Sequence, residues 1–350
     1  MSSPSGPAGK SIFVKDLVPG TPVRELFLLA EAKTGNARNG PYWSLTLQDA
    51  TGRVEAKIWS PHSQAHAELP AGRLAYVQGM VETFRDKPQI NIESLRLVDN
   101  DAPGVDLGWF VPVSAVRPDE LLAQLEEMLR VELSYKPWRR FCRRVLADEE
   151  IRARLLAGFG AKTVHHAYLG GLLEHTLSVA RLCLTLCDRY PNLDRETLLV
   201  GAVFHDLGKA WEIEGGLVSD YTDEGKLLGH ILIGLEKLEP HLAKIADLPR
   251  ELALHFKHIV ISHHGQYEFG SPKLPVTAEA MVLHHADNLD AKLNIFAATH
   301  RDMDKAGQTW SPYQRYLDRQ VHLPARTPRE EKTEKNAKKS DGQCLLPLKA

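Results

Sequence analysis

Two periodicities divide the chain. Between residues 11 and 99 apolar and polar positions alternate in short runs. Tyr42-Trp43-Ser44-Leu45-Thr46-Leu47-Gln48-Asp49 is the clearest and predicts a half-buried strand. Residues 23–30, 54–59, 74–82 and 88–93 predict four more, and Asp49 to Gly52 reads as a turn. Five short strands over about ninety residues suit a small closed barrel of the OB type. After a Pro- and Gly-containing linker, 100–117, the period lengthens. Leu121, Leu122, Leu125, Met128 and Leu129 share one helical face in a connector, 118–147.

Residues 148–320 continue as helices. Asp194 is a good N-cap for a helix over 194–209, and Pro249 opens another over 249–264. A long helix from 277 to 299 carries Leu283, Asp287, Asp290 and Asn294 along one stripe. Ser178, Arg181 and Asp188 are expected to face water while Leu172, Val179, Leu182 and Leu186 pack. Residues 1–10 and 321–350 lack periodicity and are expected to be a disordered leader and a disordered charged tail. The fold class expected is therefore multidomain α and β: an N-terminal OB-type barrel, then an all-α helical bundle.

Composition narrows the function. The 350 residues are 43% hydrophobic and 25% charged, as in ordinary globular proteins. No apolar run approaches a membrane span, so no membrane partner is expected, and the first residues lack a signal core. The 4 cysteines make no disulfide framework; Cys183 and Cys187 read as small core residues. A reducing cytoplasm fits these features. The formal net charge of −2 argues against tight, non-specific duplex binding but leaves room for a local basic groove. The run from Lys136 to Arg144 interleaves positive charge with Trp138 and Phe141. It reads equally as a phosphate- and base-binding segment or as a solvated helix with inward aromatics.

The chemistry concentrates in the helical half. His205-Asp206 lies in an apolar helical stretch, where an ionisable pair is costly to bury without a partner. His175, His230, His263, His264 and Asp287 occur in similar contexts. Imidazole and carboxylate together are natural ligands of a divalent metal. Each alone would usually be a satisfied core histidine or a capping aspartate; the set points to metal. His175, His205, Asp206 and Asp287 form the expected first site. His230 and His263 extend it to a second ion, with Asp206 bridging. Adjacent helix positions diverge by about 100°, so only one of His263 and His264 is expected as a ligand: His263, with His264 near the substrate. Mixed nitrogen and oxygen donors favour Mn²⁺, Fe²⁺, Co²⁺ or Zn²⁺ over Mg²⁺. Such ions activate water and stabilise charge on a phosphoryl oxygen. Lys209 can reach a phosphate or balance charge near Asp206. His284, His285 and His300 are weaker ligand candidates.

The order His, His-Asp, His, His-His, Asp resembles the HD phosphohydrolase superfamily. The stretch from His165 to Thr176, the elements Tyr221-Thr222, Leu228-Gly229-His230, Ser262-His263-His264-Gly265, Glu268-Phe269-Gly270-Ser271-Pro272 and Ala286 to Lys292 are similar to YhaM-type exoribonucleases, a branch of it. The resemblance covers residues 10 to 320. It implies Mn²⁺ as cofactor, single-stranded RNA as substrate and 3′→5′ polarity, with single-stranded DNA as a second substrate; nothing in the residues sets direction. Lys162, His165 and His166 match the family's segment before the His175 helix and are candidate substrate contacts, beside a capping alternative. Phe269 is a candidate for stacking a base. In the barrel, Tyr42, Trp43, Phe84, Arg85 and Lys87 are candidate strand contacts, whereas Trp59 and Tyr76 are expected in the core. Two other readings use the same residues. One is a phosphohydrolase for small nucleotides, against which the barrel argues; the other is a non-catalytic nucleic-acid-binding regulator, against which the complete ligand set argues. An oligomer is compatible with the sequence but has no surface signature in it.

Overall fold

The computed structural model describes residues 9–100, 102–111, 114–160, 168–214, 220–325 and 327. Five strands, β1 (Pro22–Ala37), β2 (Gly40–Asp49), β3 (Gly52–Ile58), β4 (Leu74–Phe84) and β5 (Lys87–Val98), close a barrel in the order β1-β2-β3-β5-β4. All pairings are antiparallel except β3 with β5. The alternation seen in the sequence is the inside–outside alternation of the barrel: Leu45, Leu47, Val54, Ala56 and Ile58 fill its interior. β1 is twice the length its apolar run predicts, since its second half pairs with β2 without a buried face.

The ordered chain reaches further than expected at both ends. Lys10, assigned to a disordered leader, has a buried side chain. Its ammonium donates to the Leu26 carbonyl at 2.6 Å and lies 3.9 Å above the Phe27 ring. At the other end, Val321 and Leu323 pack against the last helix, although a disordered segment was expected from 321. In both places a few apolar contacts hold a segment too short to show a period. The rest of the expected leader and tail, 1–8, 326 and 328–350, lies outside the described residues.

The helical half comprises α1 (Pro118–Glu132), α2 (Lys136–Leu146), α3 (Glu149–Ala157), α4 (Gly171–Arg189), α5 (Arg195–Phe204), α6 (Lys209–Glu212), α7 (Asp223–Leu242), α8 (Arg250–Ser262) and α9 (Ala278–Ala306). One apolar core joins α1 to α9. In α2, Trp138 and Phe141 are buried in that core against Phe256, so the segment is a solvated helix with inward aromatics and offers no stacking platform. Cys183 is likewise buried, which pushes its thiol pKa up and leaves it inert. No helix of the described residues is long and apolar enough to cross a membrane.

Two helices end sooner than their apolar runs predict. α5 starts at the expected cap, with Asp194 accepting from the Thr197 amide, but stops at Phe204. A turn then carries His205 to Gly208. α8 stops at Ser262, and His263 and His264 lie just past its end. Histidines at helix ends aim away from the helical wheel, which is how several segments reach one volume.

Candidate metal centre

α4 packs against α5 and α9, and α5 packs against α8. That arrangement brings His175 from α4, His205 and Asp206 from the turn after α5, and Asp287 from α9 together. One potential ligand atom from each lies within 4.8 Å of all the others. His230, His263 and His264 form a second such group.

Asp206 stands between the groups. Its Oδ2 is 3.3 Å from His175 Nε2 and 3.2 Å from His205 Nε2. Its Oδ1 is 3.4 Å from His230 Nε2 and 3.5 Å from His263 Nε2. Asp287 Oδ1 lies 3.1 Å from His175 Nε2.

The outer ring nitrogens fix the tautomers. His205 Nδ1 donates to the Ala202 carbonyl at 2.8 Å, and His263 Nδ1 donates to the Val260 carbonyl at 2.7 Å. A carbonyl only accepts, so the proton sits on Nδ1 and the Nε2 lone pair faces inward. His230 Nδ1 is 3.1 Å from both carboxylate oxygens of Glu212, and His175 Nδ1 is 2.7 Å from Asp290. Nε2 of His205, His230 and His263, together with Asp206 Oδ1, is buried with no hydrogen-bond partner among the described residues. Buried polar atoms are seldom left so. Lone pairs converging on carboxylate oxygens cannot satisfy each other; a cation satisfies all of them, so the donor set fits a divalent metal.

The charges around the centre hold its carboxylates ionised. Burial opposes the charged form of Asp206, but His205, Lys209 and His175 outweigh it and hold the carboxyl well below the usual range. Asp287 is held low as well, with His175 the main opponent of its burial. Burial disfavours a charged His175, yet Asp206, Asp287 and Asp290 outweigh that and raise its pKa well above the ordinary value. Burial keeps His263 neutral, and burial with His263 beside it pushes His264 down to about 4.

Two supporting carboxylates escaped the sequence reading. Glu212 and Asp290 hold the outer nitrogens of His230 and His175, a role that orients a ligand and raises its basicity. Asp290 was visible only as a member of the α9 stripe, and Glu212 gave no signal. Ser178, expected to face water, instead donates to Asp290. Backbone shape also matters here. Gly229 adopts φ 74° and breaks α7, which frees the His230 amide to donate to Glu212 at 3.1 Å. A Cβ on Gly208 would fall 1.9 Å from the His230 carbonyl, so only glycine lets the His-Asp turn lie against α7.

A cleft of about 840 Å³ opens onto this centre, lined by Lys209, His264, Phe269 and Asp287 among others. The Lys209 ammonium donates to Asp206 Oδ2 at 2.6 Å. His264 Nδ1 donates to the Phe269 carbonyl at 2.6 Å, which ties it to the loop whose Phe269 ring is exposed beside the cleft. His284 donates from Nδ1 to the His263 carbonyl at 2.9 Å and supports that turn. Lys162, His165 and His166 lie outside the described residues.

On the barrel, the expectation for two tryptophans is reversed. Trp43 points inward, packs against the barrel core and donates from Nε1 to the His66 carbonyl at 3.3 Å. Trp59 is exposed and tilts against Tyr42, with ring centroids 4.9 Å apart. Strand parity explains both: Trp43 shares a face with Leu45 and Leu47, whereas Trp59 follows inward Ile58. The Lys57 ammonium lies 4.9 Å from the Tyr42 ring. Tyr76 packs outside the barrel, beside Phe110, rather than in its core. Phe84, Arg85 and Lys87 sit at the exposed β4–β5 hairpin, where Arg85 and Asp86 adopt positive φ.

Residues 172–292 match the HD domain family, and residues 31–98 match the OB-fold nucleic acid binding domain family. The chain is similar to the 3′-5′ exoribonuclease YhaM of Bacillus subtilis (strain 168), at 32% identity over 88% of this chain and 94% of the relative. It is 35% identical to that of Shouchella clausii (strain KSM-K16), over 77% of this chain and 83% of the relative. The protein of the same name from Bacillus velezensis is 33% identical over 78% and 86% of the two chains.

Proposed function

This chain belongs to the YhaM 3′-5′ exoribonuclease family, and we propose that it removes nucleotides from the 3′ end of single-stranded RNA in the cytoplasm, using Mn²⁺. The observation that carries the metal is the set of inward lone pairs around Asp206. His175, His205, Asp206 and Asp287 would hold one ion; His230 and His263, with Asp206 shared, would hold a second. The two oxygens of Asp206, each facing a different pair of histidines, support two ions rather than one. Nitrogen and oxygen donors in this mixture suit Mn²⁺ better than Mg²⁺. When bound, such ions activate water near neutral pH and stabilise charge on a phosphoryl oxygen.

The protein's own groups do the rest. Lys209 balances Asp206 and stands at the cleft, where its ammonium can meet a phosphate oxygen. His264 stays neutral at neutral pH and presents its Nε2 to substrate, because its Nδ1 is committed to Phe269. The exposed Phe269 ring offers a surface for the terminal base. In the barrel, Tyr42 and Trp59 with Lys57, and the hairpin carrying Phe84, Arg85 and Lys87, combine aromatic faces with positive charge. That pairing suits single strands without sequence preference. Single-stranded DNA is the alternative polymer.

The test is decay of a 5′-labelled single-stranded RNA with Mn²⁺, with EDTA and with the Asp206→Ala variant. The expected result is a ladder shortening from the 3′ end, lost with EDTA and reduced roughly a thousandfold or more by the substitution. Intact RNA in every lane, with turnover of a mononucleotide ester, would replace this reading by a small-nucleotide phosphohydrolase.

A further inference from the structure

The matched HD segment ends at residue 292, but the cleft does not. After α9 the chain reverses at Gly307 and folds back along that helix. Backbone bridges pair Trp310 with His322 and Gln314 with Arg319, which makes a short hairpin. Its Leu317 and Val321 are buried against Ile295 and Met303. Its tip, Tyr316 to Arg319, lines the same cleft as His230 and Asp287. The tip is held in place: the Gln314 amide donates to the Arg319 carbonyl at 2.8 Å, and Asp318, in the left-handed region at φ 53°, accepts from the Tyr313 hydroxyl.

Two of the tip's side chains are exposed beside the cleft. Tyr316 is 64% exposed beside buried Leu317. Arg319 donates from Nε to the Leu317 carbonyl at 2.8 Å, but its guanidinium has no carboxylate partner among the described residues. Lys292 on α9 lines the same cleft, also without an ion pair among the described residues. The same lining includes Glu212, His230, His264 and Asp287. A guanidinium presents a fork of donors matched to phosphate, and an exposed tyrosine presents a face matched to a base.

We infer that this hairpin is the polymer-reading wall of the cleft: Arg319 holds a phosphate on the 5′ side of the scissile bond, and Tyr316 stacks the base attached to it. The inference rests on the exoribonuclease reading and deepens it. The metal ligands act on one phosphodiester, whereas the hairpin makes the site prefer one that belongs to a strand. Arg319 and Tyr316 are thus specificity-determining residues supplied from beyond the HD segment.

The experiment compares the full-length Mn²⁺-loaded protein with its Arg319→Ala, Arg319→Lys and Tyr316→Ala variants on two probes. One is a 5′-labelled single-stranded oligoribonucleotide; the other is bis(4-nitrophenyl) phosphate, a diester with no flanking nucleotide. For Arg319→Ala the expected result is a rise of about tenfold or more in KM for RNA, with a much smaller change on the aryl diester. Arg319→Lys recovers part of the loss, and Tyr316→Ala shows the same preference for harming the RNA reaction. The dependence of log KM on log salt becomes shallower by about 0.7 in Arg319→Ala, as one fewer phosphate contact requires. Equal losses on both probes, or no loss on RNA, would overturn the inference. Failure of the unsubstituted protein to degrade RNA at all would instead overturn the exoribonuclease reading, so the two failures are told apart.

Discussion

The barrel and the helical bundle both bury ionisable groups, and they treat them in opposite ways. In the barrel these groups are closed by protein. Glu25, 2% exposed, accepts from the Ser11 amide and hydroxyl, the Ile12 amide and the Leu26 amide, at 2.8 to 2.9 Å. Asp49 accepts from the Val14 amide at 2.6 Å and the Thr51 amide at 2.8 Å. Lys10 is held by a carbonyl, an aromatic face and Asp49. At the metal centre of the bundle, His205, His230, His263 and Asp206 keep buried atoms that nothing among the described residues satisfies. The same desolvation cost is met by hydrogen bonds in one region and left for a ligand in the other.

Metal removal should separate the regions most sharply. At a free Mn²⁺ concentration roughly one hundred times Kd, binding stabilises the bundle by about 2.7 kcal/mol. Hydrogen exchange should therefore show greater protection in α4, α5, α8 and α9 with Mn²⁺ than with EDTA, and no change in β1 to β5. Equal protection of barrel and bundle would break the comparison.

Glu25→Gln should act only on the barrel, costing about 2 kcal/mol, because it weakens hydrogen bonds to a charged acceptor. The effect depends on pH. Burial pushes the Glu25 pKa up, but the Leu26, Ser11 and Ile12 donors outweigh it and set the folded value below the ordinary one. The carboxylate's contribution is thus complete above the unfolded pKa, about 4.3, and is lost as pH falls through the lower folded value. Urea melts at pH 7 should separate the variant from the parent, and the gap should close as pH falls below about 4. A gap that persists in acid would point to packing rather than charge.

Glu212→Gln should have the smallest effect and only in the bundle. One oxygen remains to hold His230, so Mn²⁺ affinity should fall by about tenfold, the lower end for such supporting groups. Calorimetric titration with Mn²⁺ measures this. An unchanged affinity would mean that Glu212 does not orient a ligand.

The ligand candidates were legible in the sequence because residue type carries coordination chemistry wherever the chain goes. His205-Asp206 in an apolar run could not be ordinary surface. Glu212 was not legible, since a glutamate near a helix end looks the same whether it meets water or a histidine. The places of Trp43 and Trp59 follow from a parity that Leu45, Leu47 and Ile58 already carry, whereas aromatic character alone points to either face. The hairpin carrying Tyr316 and Arg319 was hidden for a different reason: residues up to 320 were expected to continue the helices, and an alternation this short does not stand out from them.

By itself the sequence determined a β-barrel followed by helices, and the kinds of side chain available for metal and phosphate, because periodicity and functional groups are local properties. Only the tertiary structure decided that Asp206 lies between two sets of histidines, that Asp290 reaches His175 across 115 positions of chain, and that Arg319 returns to the cleft. Convergence of that kind is set by how helices pack, and packing joins segments that no local pattern relates.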